Sequence, residues 1–174
     1  MGGTRTWTAV TGAALLVIPA LDVVARFLGT PGWIFVFVFY LGAPIWLISF
    51  VALVWMASGM LSRDSAFAAA PQAHRAIVLG LLWVYLVGLT FFCWFMSDGG
   101  DADDWQSPAG RVLGVDGYNS STPEYLNRAQ EFAMPALGTA FAALLAAVIG
   151  YAIVVGRQRR ASLARSDADE PVTE

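Results

Sequence analysis

Long uncharged runs alternate with short polar stretches along this chain. A helix that crosses a bilayer needs ~20 mostly apolar residues, and four stretches reach that length. The first covers about residues 7–28 and is interrupted by Asp22 and Arg26. The second (33–61), third (76–96) and fourth (134–156) carry no charge. The pattern predicts an all-α protein, an integral membrane four-helix transmembrane bundle occupying residues 1–160. Residues 97–133 form its long outer loop, and residues 161–174 read as a disordered cytoplasmic tail.

Two local signals refine this outline. The second stretch is longer than a bilayer requires, and Pro44 sits inside it. Proline removes one helical hydrogen bond and crowds the preceding turn, so a kink is expected there. In the outer loop, Ser121-Thr122-Pro123-Glu124 reads as a helix start, with a hydroxyl cap, an early Pro and an acid in the first turn. Tyr125, Leu126, Ala129, Phe132 and Ala133 then share one face, and Asn127, Arg128, Gln130 and Glu131 the other. That spacing predicts a short amphipathic helix, with Met134-Pro135 as the bend into the fourth span.

Composition strengthens the membrane reading. Hydrophobic residues make up 57% of the 174 and charged residues 13%, against ~25% charged in soluble domains. That excludes a disordered chain and a soluble nucleic-acid binder. All ten basic residues are Arg, which with abundant Ala and Gly implies a GC-rich, bacterial genome. Arg5, Arg63, Arg75, Arg157, Arg159, Arg160 and Arg165 fall on one side of the threading. Arg26, Arg111 and Arg128 fall on the other. The excess predicts both termini in the cytoplasm of a bacterial cell membrane. A competing reading makes the first stretch a cleaved signal peptide ending at Val23-Val24-Ala25. Asp22 and Pro19 would then crowd the cut.

Candidate chemistry is sparse. Asp22 and Arg26 are the ionisable residues inside a span. Four apart, they share a helix face in the favourable acid-first order. At 1.5 Å per residue from Trp7, Asp22 lies roughly 22 Å into a core of about 30 Å. The pair either fixes the depth of the first helix or lines a proton or cation site. Gly138, Ala142, Ala146 and Gly150 form a small-residue seam on the fourth span, suited to close helix approach within the bundle or with a partner. The run Asp98 to Asp104 fails the calcium-loop pattern, with Gln106 and Val112 at the positions reserved for Gly and Glu, and reads as a solvated linker.

Cys93 is the single cysteine and His74 the single histidine, so no internal disulfide or multi-histidine metal site can form in one chain. No catalytic or phosphate-binding motif appears, and no cofactor is expected. The favoured reading is a non-enzymatic accessory subunit or partner-binding protein that contacts the lipid bilayer, a second membrane protein or a copy of itself. Its rival is a small oligomeric transporter or channel that uses Asp22.

Overall fold

The computed structural model describes residues 2–27, 32–62, 64–99, 105–115 and 122–169. The chain is all-helical, and four of its helices are long and apolar enough to cross a membrane. It is a multi-pass membrane protein built as a four-helix bundle.

Helix α1 covers Gly2–Arg26. The second stretch is divided: α2 is the single turn Trp33–Val36, a π-helical turn follows over Phe37–Leu41, and α3 is Ala43–Leu61. The break falls where Pro44 requires it. Proline sits comfortably in a first turn, whose N–H groups lack helical partners anyway. Upstream of it, the backbone relaxes into the wider π turn and restarts at Gly42.

Helix α4 spans Gln72–Phe95, α5 is the short turn Pro108–Val112, and α6 runs unbroken over Glu124–Asp169. The expected amphipathic helix is therefore the first turns of α6, and Pro135 lies inside that helix instead of separating two. Leu126 and Ala133 face inward, while Tyr125 and Phe132 are exposed. The expected disordered tail is helical over 161–169; its residues 170–174 lie outside the described residues, as do Ser121 of the expected cap and Asp101, Asp103 and Asp104 of the acidic run.

Helix α4 is central and packs along both α1 and α6, while α1 also packs along α3. The core between them holds Leu15, Met56, Leu82, Tyr85, Leu86 and Ala147. Outward positions such as Val17, Leu21, Val24, Ile48, Val87 and Leu145 are large, apolar and exposed, as lipid-facing surfaces require. Where helices come closest, glycine makes room. A Cβ on Gly88 would lie 2.8 Å from the Ala136 carbonyl oxygen and 3.0 Å from Ala140 Cβ. One on Gly12 would lie 3.0 Å from Met60 Cβ. Helices α3 and α6 meet through rings, Trp46 on Phe141 and Trp55 on Tyr151, with centroids 5.3 and 4.8 Å apart.

The bundle has two unlike ends. The loop end gathers the end of α1, the start of α2, the end of α4 and residues 97–99 and 105–115. The arginine end gathers the start of α1, the end of α3, the 64–70 turn and the far part of α6.

Candidate functional site

Asp22 is 3% exposed on α1. Helix α4 supplies its partner: Thr90 Oγ1 donates to Asp22 Oδ2 at 2.9 Å. Arg26, one turn on, turns to another acid. Its Nη2 lies 3.4 Å from Asp98 Oδ2, with both side chains almost fully buried. Its Nη1 donates to the carbonyl oxygens of Cys93, at 3.4 Å, and of Met96. Asp22 and Arg26 thus share a helix face but serve separate contacts, the acid to a hydroxyl and the guanidinium to the end of α4.

Asp98 organises the loop end. Its Oδ1 accepts from the backbone N–H of Ile34, in the first turn of α2, and from its own neighbour Gly99, each at 3.0 Å. Its backbone pairs in both directions with Gln106 at 3.0 and 3.1 Å, and the Trp33 N–H donates to the Gly99 carbonyl. One carboxylate therefore joins α1, α2 and the segment leaving α4. This corrects the solvated-linker reading at its first two residues: Asp98 is 1% exposed and Gly99 is buried. A buried carboxylate needs ionic and hydrogen-bonding partners, and the loop end provides both.

Beside Asp22 lies a cavity of about 410 Å³ between α1, α3 and α4. Leu15, Leu53, Leu89 and Phe92 form its apolar walls, and Asp22, Ser49 and Tyr85 add polar atoms. Leu16, Ala20 and Val23 of α1 and Phe50 of α3 line it and are also exposed on the outer surface. The cavity thus reaches residues of the exposed apolar surface of α1 and α3. Apolar walls, a few convergent polar groups and this size are the usual make-up of a small-molecule site.

The residues of the predicted small-residue seam separate. Gly138, Ala142 and Ala146 are exposed, and a Cβ on Gly138 would meet nothing within 4 Å. Gly150 lies against α4, where a Cβ would be 3.3 Å from Val78 Cγ2. The small residues buried on α6 are Ala133, Ala140, Ala143 and Ala147, the neighbouring stripe, and Gly88 on α4 lies against Ala140 of that stripe and the Ala136 carbonyl.

Among the described residues no group of three or more His, Cys, Asp or Glu side chains could hold a metal ion. Cys93 is a buried free thiol on the cavity wall. Sequence reasoning missed Thr90, Asp98 and Gly88. A signal for Asp98 does exist: spans one and three run in the same direction, so residues just past their ends share one membrane level. Compared with protein families, with curated proteins and with solved structures, the chain finds no match.

Proposed function

We propose that this chain is a non-catalytic, accessory membrane protein that binds a small apolar molecule drawn from the bilayer. The observation that carries the reading is Asp22, a buried acid in a membrane span on the wall of an apolar cavity that reaches the exposed apolar surface. An apolar body fills the cavity, and a hydroxyl or amine head donates to the carboxylate. Such a ligand needs no aqueous path, which agrees with a cavity that reaches the exposed Leu16, Ala20, Val23 and Phe50. The arginine excess supports a reading with both termini in the cytoplasm of a bacterial cell. A partner helix or a second copy would meet α6 where Gly138, Ala142 and Ala146 keep the outer face short.

The test is to purify the protein in mild detergent and identify the small molecules that remain bound. Wild type should retain one apolar species with a donor head. Ala20→Trp, on the cavity wall, should exclude it. Asp22→Asn should weaken its retention while lowering stability by about 1 kcal/mol or less, since Asn still accepts from Thr90. Equal retention by all three proteins, or no retained species in wild type, overturns the reading.

A second reading draws on the same residue. Asp22 is not tied up by Arg26, so a transporter coupled through this carboxylate is the alternative. It requires a pH- or voltage-dependent flux in liposomes that disappears in folded Asp22→Asn.

A further inference from the structure

We propose a second binding site at the arginine end, in the cleft between the end of α3, the 64–70 turn and the far part of α6. Its ligand chemistry is a phosphate-bearing anion, and its occupant is the headgroup of an anionic phospholipid.

The cleft has a built aromatic floor. Phe67 is fully buried and lies on Tyr151, with ring centroids 4.9 Å apart. Trp55 meets the same tyrosine edge-on and stays 42% exposed. The Tyr151 hydroxyl fills the space that a Cβ on Gly59 would occupy, 1.8 Å away, so any side chain larger than glycine there would displace the floor. The turn that carries Phe67 is itself pinned. The Ala68 N–H donates to Ser65 Oγ at 3.1 Å, and Arg75 Nη1 donates to the Ala68 carbonyl at 3.2 Å.

Above this floor is a space of about 640 Å³ walled by Arg159 and Arg165 of α6 and by the hydroxyls of Ser62 and Ser65. Neither arginine is ion-paired with a carboxylate among the described residues. Asp64 is the acid on this wall and is exposed. Among the described lining residues, two guanidiniums stand against one carboxylate. A guanidinium fork matches phosphate oxygens in pairs, and serine hydroxyls can donate to the remaining oxygens.

The level of the cleft selects a lipid over free phosphate. Helix α3 changes from apolar to polar at Leu61–Ser62, and the exposed Trp55 is an interfacial residue type. Of the three rings Trp55 is the exposed one, and a free phosphate would leave it uncovered. A phospholipid covers it with the upper part of its acyl chains while its headgroup meets the arginines. Arg157 and Arg160 belong to the same basic run but do not line the cleft, which separates a site from diffuse attraction.

Native mass spectrometry of the full chain in detergent tests this, with phosphatidylglycerol, phosphatidylcholine and inorganic phosphate as probes. Wild type should retain phosphatidylglycerol in preference to phosphatidylcholine, and millimolar inorganic phosphate should not displace it. Arg159→Gln with Arg165→Gln should lower phosphatidylglycerol retention about 30-fold, from the usual contribution of two membrane-surface arginines. Arg157→Gln with Arg160→Gln should leave retention nearly unchanged. All four side chains are exposed, so thermal unfolding should show both variants folded. Equal losses in the two double variants would mean diffuse charge and overturn the site. Retention of both lipids alike, or displacement by inorganic phosphate, would overturn the assignment to an anionic lipid.

Discussion

At the loop end, Arg26 is 6% exposed, and its guanidinium faces Asp98 and two backbone carbonyls. At the arginine end, Arg159 and Arg165 are exposed and face an open cleft. The difference follows from solvation. A buried cation has lost its water and must find its counter-charge within the chain. An exposed one keeps its water and remains available to a ligand. The same residue type therefore holds the fold together at one end and is free for binding at the other.

Breaking the clasp should give the largest effect. Asp98→Ala leaves Arg26 buried without its counter-charge and removes the carboxylate that caps α2, so stability should fall by about 3–5 kcal/mol. Unfolding in detergent reads this directly. Arg26→Met with Asp98→Leu should recover most of the loss, because the isolated charge is what destabilises. A single-variant loss under 1 kcal/mol would show that water reaches the clasp.

Two glycines on α4 sharpen the comparison along the bundle. Gly88→Ala should destabilise by about 1–3 kcal/mol, since the new Cβ meets the backbone of α6. Gly80 has nothing within 4 Å of the corresponding position. Gly80→Ala should be neutral or stabilising by up to ~1 kcal/mol. Effects of the same sign and size would contradict the close approach of α4 and α6.

The smallest expected effect is at the arginine end. Arg159→Gln should change stability by no more than about 0.5 kcal/mol, as should Ala146→Leu on the outward face of α6. If Ala146→Leu instead alters oligomeric state in detergent, a second chain meets that face.

The spans were legible because run length and charge-free composition decide whether a helix can cross a membrane. The break before α3 was legible because proline acts locally. Contacts between helices were not. The i, i+4 rule offered Asp22 as the partner of Arg26, yet the guanidinium meets Asp98, three residues past α4, and the carbonyls of Cys93 and Met96, while α4 presents Thr90 to Asp22. On α6, two adjacent stripes are rich in Gly and Ala, and either would allow close approach. Gly88, on another helix, decides between them, and no periodicity within α6 carries that information. Asp98 was obscured by the acidic residues that follow it, although only its position at the end of α4 places it level with Arg26.

The ion pair between Arg26 and Asp98 also has a consequence in time. Its two residues are 72 positions apart in the chain. Synthesis proceeds at roughly 5–20 residues per second, so Arg26 waits on the order of 4–14 seconds before its partner is made. Through that interval the first helix carries a cation whose counter-charge does not yet exist. The pair can close only if spans one and three have entered the bilayer in the same direction. A chain threaded the wrong way at either step would leave the two charges on opposite faces of the membrane. The clasp therefore closes late, and only on a correctly threaded chain.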